Sequence, residues 1–203
     1  MEERINFISD NLTLEGILCK NTSVKGVVIA HPHPQYGGNM FDYVAESISN
    51  SFWEKGYTTL RFNFRGVGKS QGRFDNGIGE QKDLCGAISY LSGVGIKNID
   101  LAGYSFGAWI ITKINHDALG INNCVLVSPP AAFMDFKTTF PISTLKLIVT
   151  GSDDEYAPYG AIKKMLEYWK SSARLEVIQG CDHFYGGYHV KLEEIIKEAL
   201  GDG

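Results

Sequence analysis

The order of apolar and polar positions divides the chain into strand-like and helix-like segments. Near the amino terminus, the turn-like sequence DNLT joins RINFIS to LEGILCK, which predicts an antiparallel hairpin. Farther along, apolar runs rich in β-branched residues alternate with segments of helical period. These runs are GVVIAH, TTLRFNF, IDLAGY, CVLVS, LKLIVTG and LEVIQG. Such runs are typical of strands buried on both faces of a mostly parallel sheet.

The segments between the apolar runs carry apolar residues at helical spacing. The stripes are Phe41, Val44, Ile48 and Phe52; Ile162, Met165 and Trp169; and Leu192, Ile195 and Ala199. Their simplest interpretation is that each faces the core from an amphipathic helix. Strands and helices in alternation predict an α/β fold with helices on both faces of the sheet. Functional residues of such folds collect at the carboxyl ends of the strands.

The length and charge of the chain narrow its class. We expect residues 1–203 to form a single domain, because no repeat or linker-like tract marks a boundary. The formal net charge of −4 lacks the basic character typical of nucleic-acid-binding proteins. No signal-peptide pattern or membrane-spanning apolar run is present. We therefore expect a cytoplasmic protein with neither a nucleic-acid nor a membrane partner.

The sequence FRGVGKSQG is similar to the end of a phosphate-binding loop. The pattern G-x-x-x-x-G-K-[ST] requires a glycine at position 63, where this chain has Asn63. A phosphate loop also leads directly into a helix, whereas here a helix becomes plausible only around Glu80. The segment is better interpreted as a Gly-rich turn that leaves a strand and crosses the top of the sheet.

A second motif has more specific surroundings. Residues 103–107, GYSFG, fit G-x-S-x-G, the sharp turn between a strand and a helix that exposes a nucleophilic serine. The pattern alone is weak because it arises often by chance. Here a buried-strand pattern precedes Ser105 and apolar residues at helical spacing follow it. Ser105 is therefore the candidate nucleophile.

A serine hydroxyl needs a base to take its proton, and the base needs an acid to orient it. Where this turn occurs, the acid and then the histidine follow the serine, each after a later strand. His183 follows LEVIQG and is the candidate base. Asp153, Asp154 and Glu155 all follow LKLIVTG. Of these we favour Asp154.

Acyl transfer also needs N–H donors for the developing oxyanion, usually from the residue after the nucleophile and from a loop after an early strand. Phe106 would supply the first donor. The loop HPHPQYGG would supply the second, and its prolines are excluded because proline has no N–H. His33, Gln35 and Tyr36 remain, and we favour His33.

The roles of His31 and His116 also need interpretation. His31 and His33 are separated by one residue, as zinc ligands can be, but no third ligand is obvious nearby. We therefore expect no metal site, and a serine nucleophile with its base and acid requires no cofactor. His116 lies at a predicted helix end, where we interpret it as a capping or surface residue.

Taken together, the chain resembles the α/β-hydrolases, and more narrowly the small lidless hydrolases related to dienelactone hydrolases. That group has similar HPHP-x-x-GG, RFNFRGVGKS, GYSFG and DHF segments, and the resemblance covers nearly the whole chain. It implies Ser105 as nucleophile, Asp154 as acid and His183 as base. It also implies His33 and Phe106 as oxyanion donors.

The resemblance implies a serine hydrolase that cleaves a small-molecule ester or thioester through an acyl-enzyme. Dienelactone hydrolase proper has a cysteine in place of Ser105, so lactone specificity does not follow. The alternatives are a peptidase, amidase or acyltransferase that uses the same three residues, and a non-catalytic binding protein.

The residues that contact the substrate are harder to predict. The segment AAFMDFKTTFPIS stands where larger hydrolases insert a lid, and it is short, so we expect an open site. Three of its residues either line the acyl pocket or cover the sheet: Phe133, Met134 and Phe136. Tyr36, in the HPHP loop, is another candidate. Arg65 and Lys69 are candidates for binding an anionic part of the substrate, with surface ion pairing as the alternative.

Overall fold

The computed structural model describes residues 2–21, 24–137, 142–169 and 171–201. The strands are β1 (Glu2–Ser9), β2 (Leu12–Cys19), β3 (Lys25–Ala30), β4 (Thr58–Phe62), β5 (Asn98–Tyr104), β6 (Ile121–Val127), β7 (Leu145–Gly151) and β8 (Arg174–Ile178). The helices are α1 (Tyr43–Glu54), α2 (Ile78–Gly93), α3 (Phe106–Ile111), α4 (His116–Leu119), α5 (Tyr159–Trp169) and α6 (His189–Leu200), with a 3₁₀ turn at Pro34–Tyr36.

These strands form one sheet in the order β1-β2-β4-β3-β5-β6-β7-β8. β1 and β2 make an antiparallel hairpin, and β2 also pairs antiparallel with β4. Every pair from β4 to β8 is parallel. The predicted hairpin and mostly parallel sheet are therefore confirmed, and the carboxyl ends of β3 to β8 lie along one edge of the sheet.

The sheet separates two hydrophobic cores. On one face, α2, α3 and α5 bury their apolar sides; on the other, α1 and α6 do so. Residues of β3 alternate between the faces, since Val28 belongs to the first core whereas Val27 and Ile29 belong to the second. Burial on both sides explains why the strands read as continuous apolar runs. The prediction of helices on both faces is confirmed.

The first helix starts later than its apolar stripe indicates. The carboxylate of Asp42 accepts hydrogen bonds from the N–H groups of Val44 and Ala45 at 3.0 and 3.2 Å, which caps the amino end of α1. Phe41 therefore lies before the helix, where its side chain is exposed. The helix places Asp42 at the edge of the sheet where the parallel strands end.

The Gly-rich segment after β4 fastens that strand to β2. A carboxylate oxygen of Glu15 accepts hydrogen bonds from the N–H of Lys69 at 2.7 Å and the amide of Asn63 at 2.8 Å. The hydroxyl of Ser70 donates to the carbonyl oxygen of Asn63 at 2.7 Å. The next helix, α2, begins at Ile78. The segment is a turn across the sheet edge, as the sequence predicts.

Between β6 and β7, residues 128–137 contain turns and no helix. Residues 138–141 of the predicted short connection lie outside the described residues. In the part of the chain that the structure describes, no helix combines the length and apolar character needed to span a membrane.

Candidate active site

Three loops at the carboxyl edge of the sheet bring together the predicted nucleophile, base and acid. Ser105 follows β5, Asp154 follows β7 and His183 follows β8. The Nε2 atom of His183 is 3.0 Å from the hydroxyl of Ser105. Its Nδ1 atom is 2.9 Å from each carboxylate oxygen of Asp154. The three buried side chains therefore form one continuous hydrogen-bonded row.

The backbone at Ser105 adopts an unusual conformation that presents its hydroxyl. Its φ and ψ are 54° and −116°, a region that residues with a side chain rarely occupy. The flanking glycines allow this turn. A Cβ atom on Gly103 would lie 2.6 Å from the carbonyl carbon of Gly107, and one on Gly107 would lie 2.2 Å from the carbonyl oxygen of Ala30. The motif thus lets α3 start directly against β3 and β5.

The acid is fixed from both sides. Besides contacting His183, Asp154 accepts hydrogen bonds through Oδ1 from the N–H groups of Tyr156 at 3.0 Å and Ala157 at 2.8 Å. Burial raises the pKa of this carboxyl, but the hydrogen bond and charge of His183, together with the hydrogen bond from Ser128, outweigh burial and lower the pKa below its ordinary value. The side chain is therefore a carboxylate at neutral pH.

The neighbouring carboxylates point elsewhere. Asp153 and Glu155 are exposed, and Asp153 accepts a hydrogen bond from the hydroxyl of Ser152 at 2.8 Å. Among the three adjacent acidic residues, His183 is hydrogen-bonded to Asp154. This geometry favours Asp154 over the alternatives that the sequence leaves open.

Phe106 and the loop after β3, which were predicted to supply the oxyanion donors, line the same cavity as Ser105. Phe106 is the first residue of α3, so its N–H has no acceptor within the helix. In the loop after β3, the N–H of Gln35 donates to the His33 ring at 3.2 Å, and the N–H of Tyr36 donates to the His33 carbonyl oxygen at 3.1 Å. No described residue accepts a hydrogen bond from the N–H of His33. Of the three sequence candidates, His33 therefore keeps its donor available.

A cavity of about 680 Å³ lies over this row of side chains. Much of its wall is aromatic or apolar: Tyr36, Phe106, Pro130, Phe133, Met134, Tyr156 and Phe184. Tyr36 and Phe133 are 87% and 71% exposed, so they form an open rim. Three predicted substrate contacts, Tyr36, Phe133 and Met134, do line this cavity, whereas Phe136 packs against Trp169 in the core.

The cavity wall contains a carboxylate but no lysine or arginine among the residues that the structure describes. The carboxylate belongs to Asp42, the capping residue of α1. Burial raises the pKa of this group, and the helix N–H groups of Ala45 and Val44 offset part of that effect. Within the described part of its wall, the site therefore presents the Asp42 carboxylate and neither lysine nor arginine to a bound molecule.

Arg65 does not lie in the cavity, which corrects the prediction of a substrate contact. Its guanidinium is buried, with Nη2 2.8 Å from Oδ1 and Nε 3.0 Å from Oδ2 of Asp83. Asp83, on α2, also accepts a hydrogen bond from the hydroxyl of Ser9 at 2.8 Å. A buried carboxylate thus holds Arg65 inside the protein. Lys69 is exposed beside a separate depression on the far side of the HPHP loop.

His116 contacts the last carbonyl of α3, as the capping interpretation predicts, but the alternative of a surface residue is wrong. Its ring is buried, with Nδ1 hydrogen-bonded to the hydroxyl of Thr144 and Nε2 2.8 Å from the carbonyl oxygen of Ile111. It lies before β6, at the opposite end of the sheet from Ser105. Within the described ranges, no group of three or more His, Cys, Asp or Glu residues is arranged to hold a metal ion.

Sequence reasoning missed Asp42, Tyr156 and Phe184 as parts of the site. An aspartate before an apolar stripe is a recognisable helix-start signal, so the position of Asp42 at a helix end could be predicted from the sequence. Its orientation into the cavity depends on how α1 packs. Tyr156, whose ring centroid is 4.7 Å from that of His183, carries no signal beyond its proximity to Asp154.

The chain is similar to several known proteins. No family model matches the chain. The uncharacterized protein RP471 of Rickettsia prowazekii is 34% identical over 201 residues, which cover 93% of this chain and 83% of that protein. An alpha-beta serine hydrolase homologue from Coxiella burnetii is 33% identical, with a TM-score of 0.91 over 98% of this chain and 97% of its own.

XC6422 from Xanthomonas campestris, described as an α/β serine hydrolase without a lid, is 26% identical. Its TM-score is also 0.91, over 98% of this chain and 93% of its own. The strand order and the short β6–β7 connection agree with that description. The chain therefore belongs to the family of small α/β serine hydrolases that lack a lid.

Proposed function

We propose that this hydrolase cleaves small carboxylic esters or thioesters through an acyl-enzyme on Ser105. The observation that carries the proposal is the row of hydrogen bonds from Ser105 through His183 to Asp154, which opens into a cavity beside two available N–H groups. A hydroxyl bonded to an imidazole, itself bonded to a buried carboxylate, is the arrangement that activates serine for attack on a carbonyl.

In the first half-reaction, the Ser105 oxygen attacks the carbonyl carbon while Nε2 of His183 takes the hydroxyl proton. The carbonyl oxygen becomes an oxyanion, to which the N–H groups of His33 and Phe106 donate. The C–O or C–S bond to the leaving group then breaks. The leaving group takes the proton from His183, and the acyl group remains on Ser105.

In the second half-reaction, water replaces the alcohol or thiol. His183 takes a proton from the water as its oxygen attacks the acyl carbon, and then returns that proton to Ser105 as the carboxylic acid leaves. Asp154 accepts the hydrogen bond of Nδ1–H, which keeps Nε2 free to act as the base and stabilises the imidazolium. The carboxylic acid product ionises in water.

The open rim and the charge of the cavity support a substrate with a short, uncharged acyl group. Tyr36 and Phe133 leave the entrance exposed, and none of the residues that the structure describes covers it to enclose a long chain. The Asp42 carboxylate would repel an anionic acyl group, and no described cation lines the wall to offset it. We therefore expect acetyl to butyryl esters to be better substrates than esters that carry a carboxylate.

The direct test compares purified wild-type protein with Ser105→Ala on short p-nitrophenyl esters and thioesters. Ser92→Ala, which changes an exposed serine on α2, is a control for handling. Turnover by the wild type and Ser92→Ala, but not by Ser105→Ala, supports the proposal. Equal turnover by all three proteins would contradict it.

The substrate-charge component has its own test. An amide oxygen can still cap α1, so Asp42→Asn removes the charge while keeping the cap. The wild type should prefer p-nitrophenyl valerate over the p-nitrophenyl hemiester of succinate. Asp42→Asn should reduce that ratio of kcat/KM by about threefold to tenfold, the range for one charge in a partly aqueous site. An unchanged ratio would show that Asp42 does not select against anions.

A further inference from the structure

His31 lies between β3 and the loop that carries His33, and its side chain is 1% exposed. Both ring nitrogens contact the backbone. The N–H of Phe64, just beyond β4, donates to Nε2 at 3.1 Å. Nε2 is therefore the acceptor nitrogen, so Nδ1 carries the hydrogen and donates to the carbonyl oxygen of Pro32 at 2.6 Å. The backbone on both sides fixes one neutral tautomer.

The carbonyl that His31 holds belongs to the same peptide unit as the N–H of His33. The Pro32–His33 peptide bond is trans, so this C=O and N–H lie in one plane and point in opposite directions. A hydrogen bond that fixes the Pro32 carbonyl therefore also fixes the direction of the His33 N–H. The donor is oriented without any contact between the imidazole and the cavity.

Gly38 confines the same peptide unit from another direction. A Cβ atom on Gly38 would lie 2.2 Å from the oxygen and 2.5 Å from the carbon of the Pro32 carbonyl. The N–H of Gly38 donates to the carbonyl oxygen of His33 at 3.1 Å. The loop thus folds back on the Pro32–His33 unit, and His31 supplies its hydrogen-bond anchor to the end of β4.

We propose that His31 is a positioning residue, which holds the Pro32–His33 peptide unit so that the His33 N–H faces the oxyanion formed at Ser105. The inference rests on the proposed function. An oxyanion donor is effective when it is oriented before the charge develops, because little reorganisation is then needed during the reaction. A neutral imidazole suits this position because one nitrogen donates to Pro32 while the other accepts from Phe64.

The electrostatic surroundings agree with a neutral ring. Burial lowers the pKa of His31 to about 4, the hydrogen bond to Pro32 raises it in part, and the nearby His33 lowers it further. His31 therefore stays uncharged at neutral pH and can keep accepting the hydrogen bond from the Phe64 N–H.

Two substitutions separate the hydrogen bonds of His31. The amide nitrogen of asparagine lies near the position of Nδ1, so His31→Asn can still donate to Pro32. The longer glutamine places its amide near Nε2, so His31→Gln can still accept from Phe64 but loses the donor to Pro32. His116→Asn is the matched control, because His116 is also buried with both nitrogens bonded but lies away from the cavity.

The kinetic measurement is kcat and KM on p-nitrophenyl butyrate. We expect His31→Gln to lower kcat by roughly 30- to 100-fold with KM within about threefold, because a misdirected oxyanion donor acts mainly on the transition state. His31→Asn should stay within about fivefold of the wild type, and His116→Asn should keep the wild-type kcat. Inhibition by phenylboronic acid, which forms a tetrahedral adduct, should weaken in His31→Gln by the factor lost in kcat/KM.

Crystal structures of the two His31 variants give a readout besides activity. The Pro32 carbonyl should keep its direction in His31→Asn and rotate in His31→Gln. Equal kinetic losses in both variants, or an unrotated carbonyl in His31→Gln, would overturn the inference about His31 alone. Turnover that survives in Ser105→Ala would instead contradict the proposed function.

Discussion

The hydroxyl of Tyr104 donates a hydrogen bond to the carbonyl oxygen of His183 at 2.8 Å. Tyr104 is the residue before Ser105, so this bond ties the loop that carries the candidate base directly to the turn that carries the candidate nucleophile. The two loops lie 79 residues apart in the chain. The distance between Ser105 and His183 therefore depends on a contact outside the row of three side chains.

We predict that Tyr104→Phe lowers kcat roughly tenfold, because the His183 loop loses its link to the Ser105 turn. It should also lower the free energy of unfolding by about 1–2 kcal/mol, since a buried carbonyl loses its donor. Tyr57→Phe is the control, because Tyr57 is a buried tyrosine that lies just before β4, at the opposite end of the sheet from Ser105. Ester turnover and urea unfolding of both variants test this prediction. Equal loss of kcat in the two would contradict it.

The adjacent acids provide a matched pair. Asp154→Asn should lower kcat by about 10⁴-fold, because an amide in place of the carboxylate favours the wrong tautomer of His183. Asp153→Asn should leave kcat within twofold, roughly the effect expected of an exposed residue remote from the reaction. The comparison needs kcat values for the same ester. A larger loss of kcat in Asp153→Asn than in Asp154→Asn would show that Asp153, and not Asp154, is the acid.

The close packing around the glycines of the nucleophile turn predicts that their replacement lowers stability. In Gly107→Ala, the new methyl group meets the carbonyl oxygen of Ala30, which belongs to backbone and cannot move freely. We expect the free energy of unfolding to fall by about 2–3 kcal/mol and activity to fall with it. Gly160→Ala, on α5, meets no atom within 4 Å and should not destabilise the protein. Similar unfolding curves for both variants would contradict this account of the motif.

The free energy of unfolding should fall at acidic pH in part because His31 is buried without charge. Its pKa is about 4 when folded and 6.5 as its ordinary value, so the unfolded chain binds more protons between these limits. The contribution of neutral, buried His31 to the free energy of unfolding is complete above about pH 6.5. It is lost as the pH falls to about 4, a total of about 3 kcal/mol. The pKa values of His33 and His116 are also lowered, chiefly by burial, so both act in the same direction.

The measurement is the free energy of urea unfolding between pH 7 and pH 4, for the wild type and His31→Asn. The wild-type value should fall more steeply than that of the variant. Asp154, whose pKa is lowered from 3.8, contributes at more acidic pH. Parallel pH dependences would show that His31 is not the group that titrates.

Much of this site was predictable because its residues follow strands in a fixed order. Apolar runs locate the strands, and parallel pairing brings their carboxyl ends together. Ser105, Asp154 and His183 each lie within five residues of the end of one strand. The absence of an N–H in proline reduced the choice of the second oxyanion donor to three residues. These deductions need local pattern and topology, and no side-chain packing.

The errors concern residues whose partners come from other elements. Arg65 meets Asp83 because α2 packs beside the end of β4, and no spacing in the sequence indicates that pair. His116 is buried because Thr144, 28 residues away, lies against it. The sequence does not distinguish a polar residue that faces the cavity from one that is paired with a buried side chain.

The central claim is that Ser105 is the nucleophile, activated by His183. The most direct test is stoichiometric labelling with a fluorophosphonate, followed by peptide mass spectrometry. One adduct per chain on Ser105, together with its absence in Ser105→Ala and strong slowing in His183→Ala, is the predicted result. An adduct on another residue, or labelling of Ser105→Ala at the wild-type rate, would contradict the account.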